Sequence, residues 1–311
     1  MLFMKINSVN EYIQEKELFN QLSDYLDGYV RPVLLVDKFI YEKYKNKFDE
    51  FDCPILFENI AYESDVVIGI GGGRIMDQAK KFAYDFDVDC ILVPSSPATD
   101  APCTNLFVDD GKYVISGCVK KVLVDETILF SAPTRFLVSG IGDALSTYFE
   151  SKYYNMPISM QVLSKSCLET LLSNGVQAVQ NHKEGLLSKA FSNTIEAILY
   201  MSGTVYGNSG PSITHNLTSG FSKFSNSMHG ELVAFFLLVQ LYLENDPRIH
   251  ELRDFYKQIG LPSHLKDIGL SDAENEDLDF IITTCPKNNY FKKILKNDDI
   301  IDAMRIVDAF E

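Results

Sequence analysis

Short apolar runs separated by helical periodicity fill the first 130 or so residues, and helical periodicity alone fills the rest. Segments 33–37, 55–57, 66–70, 90–94 and 122–125 read as strands, several of them apolar without a break. Unbroken apolar strands are buried on both faces, the pattern of a parallel sheet with crossover helices. Helices are expected over 9–25 and 41–51, and from the glycines at 71–73 through the apolar positions Ile75, Met76, Ala79, Phe82 and Ala83. Segments 105–108 and 112–116 flank Asp109-Asp110-Gly111, whose Asp-Gly pair signals a hairpin. Beyond about residue 136 no strand pattern appears. Helices are expected at 144–153, 160–172 (stopping before Gly175), 186–201, 231–243, 248–259 and 300–310. The chain therefore divides into an α/β domain, 1–135, and an all-helical domain, 136–311.

The glycine run is the sharpest feature of the first domain. Gly71, Gly72 and Gly73 join a buried strand to a helix. Bare backbone N–H groups at a helix N-terminus make an anion site. A plain turn in any α/β domain would need a single glycine. Ligands of such sheets bind outside the carboxyl ends of the strands, where Asp37, Gly71–Gly73 and the 95–100 loop all fall. The dinucleotide fingerprint GxGxxG is not met, because Arg74 stands at its third position and the acid that could take ribose hydroxyls, Asp37, precedes the loop. A carboxylate there favours NAD over NADP; its alternative role is the N-cap of the next helix.

Composition narrows the function. The 311 residues exceed what one core usually holds, and 46% are hydrophobic, enough for two. A formal net charge of −15 argues against nucleic acid and anionic membranes as partners. Six cysteines stand singly, with no CxxC and no framework spacing, and no signal peptide or membrane-spanning run is evident. These features point to a reducing cytoplasm.

Five histidines are present. His182, His250 and His264 sit among polar residues and read as surface. His229 opens a helix, and His215 follows the glycine-marked stretch 208–211. Asp143 also begins a helix on this reading, where it is either an N-cap acid or a third metal ligand.

Four stretches carry a family resemblance: VVIGIGGGRIMDQAKKFAY (66–84), SPATDAPCTNLF (96–107), VLVDETILFSAPTRFLVSGIGDALSTYFE (122–150) and MHGELVAF (228–235). In combination they resemble the iron-containing alcohol dehydrogenase superfamily, and within it the glycerol dehydrogenases. The resemblance implies an N-terminal dinucleotide-binding domain and a helical metal domain, the dehydroquinate synthase-like architecture, with the active site between them. It implies NAD, a divalent metal (Zn²⁺, with Fe²⁺ as the alternative), a polyol or alcohol substrate, and homo-oligomers. It implies Asp143 and His229 as metal ligands and Asp100 near the substrate hydroxyls, where Asp100 is otherwise a turn residue. Gly71, Gly72 and Gly73 would hold the pyrophosphate and Asp37 the adenosine ribose. Ser95, Ser96 and Thr99 would line the nicotinamide side, with Asp77 of the Asp-x-x-Lys pair among the cofactor-binding residues. The activity implied is hydride transfer between a carbinol carbon and nicotinamide, the metal polarising the hydroxyl.

The middle ligand departs from the family pattern of two histidines three apart. Counting back from His229 without gaps puts Ser212 at the ligand position. Counting forward from Ser209-Gly210 puts His215 within one residue of it, fourteen before His229, and His215 is taken as the ligand. Ser219 then replaces a further family histidine and removes a proton-relay group, while Thr147 stands where the iron enzymes carry a fourth ligand. The alternatives within the superfamily are a glycerol-1-phosphate dehydrogenase, a dehydroquinate-synthase-like enzyme, or a member with degraded activity. The first two need basic residues for their substrates, and the cleft segments are poor in Lys and Arg apart from Arg74 and Lys120-Lys121.

Overall fold

The structure is a computed structural model, described here for residues 5–117, 119–286 and 296–310. Eight strands are present among these residues: β1 (Glu11–Glu15), β2 (Pro32–Val36), β3 (Ile55–Leu56), β4 (Val66–Gly71), β5 (Asp89–Pro94), β6 (Leu106–Asp109), β7 (Lys112–Ile115) and β8 (Lys121–Asp125). Six form one parallel sheet in the order β1-β8-β5-β4-β2-β3. The alternate residues of β2, β4 and β5 face two different buried clusters, so both faces are covered. That double burial is why these strands are apolar throughout. β6 and β7 make the expected hairpin; Asp110 and Gly111 at its tip both have positive φ, as a two-residue type I′ turn requires.

The chain runs from β2 to β3 on one side and then crosses to β4 on the other side of β2. The order thus reverses between β2 and β4. Ligands bind at such switch points. Asp37 follows β2, Gly72 follows β4, and Ser95 follows β5, so three neighbouring strand ends converge there. Backbone hydrogen bonds tie them together, Asp37 N–H to Ile70 O at 3.0 Å and Ser95 N–H to Gly71 O at 2.8 Å.

Helices flank the sheet and build the rest: α1 (Lys38–Lys43), α2 (Lys45–Phe48), α3 (Gly73–Phe86), α4 (Glu126–Phe130), α5 (Thr134–Ser151), α6 (Ile158–Lys183), α7 (Lys189–Glu196), α8 (Gly203–Ser209), α9 (Ile213–Phe221), α10 (His229–Leu243), α11 (Arg248–Ile259), α12 (Asn275–Thr284) and α13 (Asn297–Ala309). α10 is buried on all sides from Gly230 to Leu241, the pattern of a central helix. α5 and α9 pack against it. Among the described residues no helix is long and apolar enough to cross a membrane.

Several expectations are corrected. The segment 9–25 is not a helix: Glu11–Glu15 pairs with β8 as an edge strand, half-buried, and a 3₁₀ turn Leu18–Leu26 follows. Tyr12 and Ile13 point to opposite faces, each against one of the two buried clusters, and they are the only apolar residues of this short strand among glutamates and Gln14. The 41–51 helix is broken at Tyr44 into α1 and α2. α6 passes through Gly175 to Lys183, because the ring of Phe255 packs where a side chain at 175 would stand. α5 begins at Thr134, so Asp143 lies in mid-helix rather than at a cap. The 186–201 helix starts later, at Lys189 with Ser188 as its cap, and runs on through a π-helical turn at Ala197–Ser202 into α8.

Candidate active site

Asp143, His215 and His229 come from three different helices, and their donor atoms all lie within 4.8 Å of one another. Asp143 faces inward from α5, His215 stands in the first turn of α9, and His229 is the first residue of α10. His215 Nε2 is 3.3 Å and His229 Nε2 3.6 Å from the same oxygen, Asp143 Oδ1. Asp143 and His215 are buried, while the His229 side chain is 49% exposed. Ser212, the other position reached by counting, contributes its backbone N–H to Glu150 and lies outside the trio.

Glu150 organises His215. One carboxylate oxygen accepts the backbone N–H groups of Ser212 and His215, at 2.9 and 3.1 Å. The other takes Nδ1 of the His215 ring. This satisfies two of the buried N–H groups at the start of α9 that have no partner within the helix. It also leaves Nε2 as the ring nitrogen directed at Asp143. Burial alone would lower the His215 value, but Glu150 and Asp143 outweigh it and hold the imidazole well above its ordinary range. Burial likewise raises Asp143, and His229 and His215 outweigh it and hold the carboxyl below the usual carboxylate range. A carboxylate between two imidazoles is a charge arrangement that a divalent cation can replace: two nitrogens and one oxygen with a position left open fit Zn²⁺ or Fe²⁺.

The trio lines one cavity of about 240 Å³ together with Asp77, Thr99, Asp100, Tyr113 and Tyr206. Among the described residues, no lysine or arginine lines it. Lys120 and Lys121, basic exceptions in the sequence, pair instead with Asp89 and Glu11. Asp100 is half-buried at the start of the Ala101–Cys103 turn and accepts from Ser202 Oγ at 3.0 Å. Burial and then the nearby Asp143 charge push its carboxyl up to about 7. Burial also raises Asp77.

At the sheet end, Asp37 caps α1 by accepting Phe39 N–H at 2.9 Å, and its second oxygen lies 3.8 Å from Arg74. The three glycines do different work. A Cβ on Gly71 would crowd Ile75 at 2.6 Å, and one on Gly73 would meet Thr99 Oγ1 at 3.1 Å. Among the described residues a Cβ on Gly72 would meet only Ser96, at 3.8 Å, so it would project into free space beside the α3 N-terminus. Gly72 has φ −83°, which any residue adopts. The missing side chain therefore serves a ligand rather than the backbone, and the cradle fits a phosphate. Ser96 Oγ accepts Ala98 N–H, and Thr99 Oγ1 accepts Ala101 N–H, which shapes the loop beside that cradle.

Sequence reasoning missed Glu150, Ser202 and Tyr206. Glu150 had a signal, since it lies seven residues after Asp143 and so on the same helix face. Tyr206 lays its ring 4.9 Å from that of His215, a contact between helices that no local spacing shows. Among the histidines expected at the surface, His250 is exposed, but His182 and His264 are half-buried and bonded to backbone carbonyls. Ser219 donates to the His215 carbonyl within α9.

No protein-family model matches the chain. A glycerol dehydrogenase of Thermotoga maritima is 35% identical over 278 residues, 80% of this chain and 76% of that one. The crystal structure of a probable glycerol dehydrogenase from Sinorhizobium meliloti superposes with a TM-score of 0.89 at 27% identity, over 99% of each chain. That of glycerol dehydrogenase from Schizosaccharomyces pombe gives 0.91 at 26% identity, over 99% of this chain and 91% of that one. With the fold and the site described above, these similarities make the chain an oxidoreductase acting on CH–OH groups. It belongs to the glycerol dehydrogenase family.

Proposed function

We propose that the chain is an NAD-dependent polyol dehydrogenase with glycerol-like substrates, and that Asp143, His215 and His229 hold its divalent metal. The observation that carries this reading is that the two-imidazole, one-carboxylate trio shares a cavity with Asp100 and, among the described residues, with no lysine or arginine. A phosphorylated or carboxylated substrate would find no lysine or arginine among the described residues that line it, which speaks against the glycerol-1-phosphate and dehydroquinate-type alternatives. When bound, the metal supplies Lewis-acid polarisation of a hydroxyl and the nicotinamide supplies the hydride acceptor.

The protein's part is position and field. Glu150 fixes the His215 ring, and Asp100 accepts a hydrogen bond from a second substrate hydroxyl. Gly71, Gly72, Gly73 and the α3 N-terminus receive the pyrophosphate, with Asp77 nearby. Asp37 keeps one oxygen for the ribose hydroxyls while the other caps α1. Ser95, Ser96 and Thr99 line the nicotinamide side. The domain boundary is proposed at about 135, close to the start of α5. Zinc is preferred to iron because Thr147, one turn from Asp143, offers no fourth nitrogen or carboxylate. Assembly of identical subunits follows from the family resemblance. A cytoplasmic location suits the free thiols of Cys53, Cys90, Cys103 and Cys167.

The test is NADH production from a panel of polyols by zinc-loaded and metal-stripped protein. Turnover of glycerol or a vicinal diol that needs the metal supports the reading. Binding of NAD with neither metal uptake nor turnover would instead identify a member with degraded activity.

A further inference from the structure

The π-helical turn Ala197–Ser202 between α7 and α8 has no part in the function as proposed so far. Such turns are rare and concentrate at functional sites. Its last residue, Ser202, is fully buried and donates to Asp100 Oδ2 at 3.0 Å. Among the described residues this is the one side-chain hydrogen bond made to the Asp100 carboxylate. A serine hydroxyl carries one proton. With that proton committed to Asp100, the 2.8 Å contact between Ser202 Oγ and Thr147 Oγ1 has Thr147 as donor. Thr147 lies on α5, one turn beyond Asp143. The residue after Ser202 is Gly203, where a Cβ would run into the Asp100 carbonyl. Hydroxyl and glycine together bring the start of α8 against the loop that carries Asp100.

We propose that Ser202, set in place by the π-helical turn and backed by Thr147, is a positioning residue for substrate specificity. It fixes one carboxylate oxygen of Asp100 and leaves the other to accept the hydroxyl next to the reacting one. The buried path Thr147–Ser202–Asp100 links the helix bearing Asp143 to the loop that reads the polyol. This inference rests on the reading above that Asp100 binds substrate.

The experiment compares Ser202→Ala, Thr147→Val and Asp100→Asn in zinc-loaded enzyme, with glycerol and with propan-2-ol, which has no second hydroxyl. Loss of one hydrogen bond to a charged group is worth roughly tenfold. In Ser202→Ala the KM for glycerol rises about tenfold while kcat stays within about threefold, and kcat/KM for propan-2-ol and the zinc content hold. Thr147→Val moves glycerol KM the same way by less. Equal losses on both alcohols in Ser202→Ala would mean a merely structural role and overturn the proposal. So would an unchanged glycerol KM in Ser202→Ala alongside a raised one in Asp100→Asn, which leaves the reading of Asp100 standing. An unchanged glycerol KM in Asp100→Asn overturns that reading and this inference with it. If Ser202→Ala does not fold, Thr147→Val decides by the same readout.

Discussion

Glu150 holds Nδ1 of His215, and the remaining ring nitrogen, Nε2, lies 3.3 Å from Asp143 Oδ1. Both carboxylates belong to α5, two turns apart on one face, so a single helix presents a proposed ligand and the group that orients its partner. Partners of this kind typically set metal affinity by a factor of about 10 to 100. Glu150→Gln is therefore expected to weaken zinc binding by about that factor, measured by competition with a chelator, with the helical circular dichroism unchanged. Unaltered affinity would mean that the Glu150 contact serves folding alone.

Gly72 separates a ligand role from a backbone role. Its φ is ordinary and, among the described residues, a Cβ there meets only Ser96 at 3.8 Å. Gly72→Ala should melt at the wild-type temperature yet bind NADH more weakly, by about tenfold or more in a fluorescence titration. A variant that binds NADH as well as the wild type would remove the phosphate from this turn.

Asp37 carries two jobs that two substitutions can part. Asp37→Ser retains an N-cap acceptor, whereas Asp37→Ala loses it at a cost of about 1 kcal/mol. Both should raise KM for NAD and reduce the preference over NADP, while only the alanine variant melts lower. Unchanged NAD kinetics in both would leave Asp37 as a cap only.

Asp100 should leave a mark on the pH dependence of the metal-free protein. Burial and the Asp143 charge raise its carboxyl to about 7, so the folded state holds that proton more tightly than the unfolded one. Stability is then lost as pH rises from about 4 to about 7, and the loss persists above that range. Asp100→Asn removes the titrating carboxyl and with it this pH dependence. The melting temperature of the variant relative to wild type should be more favourable at pH 8 than at pH 5. A constant difference would contradict the raised value.

The sheet was legible because β2, β4, β5 and β8 are buried on both faces and hence apolar without interruption. β1 was not, because Glu11-Tyr12-Ile13-Gln14-Glu15 has two adjacent apolar residues between polar ones and carries too little alternation to separate it from a helix. Gly175 suggested a stop that the packing of Phe255 overrides. In the site, Asp143, His215 and His229 were visible as residue types near helix starts and through family motifs. Their convergence, with Asp143 in mid-helix, depends on α5 and α9 packing against α10, which no local pattern encodes. Ser202 escaped notice for the same reason: its contact with Asp100 spans about a third of the chain.

The central claim is that Asp143, His215 and His229 hold the metal that polyol oxidation requires. Metal analysis of purified His215→Ala beside wild type, both folded and both exposed to zinc, tests it most directly. The account predicts about one ion per chain in the wild type, and in the variant loss of that ion together with NAD-dependent polyol turnover. Zinc retained at the wild-type level in His215→Ala would contradict it.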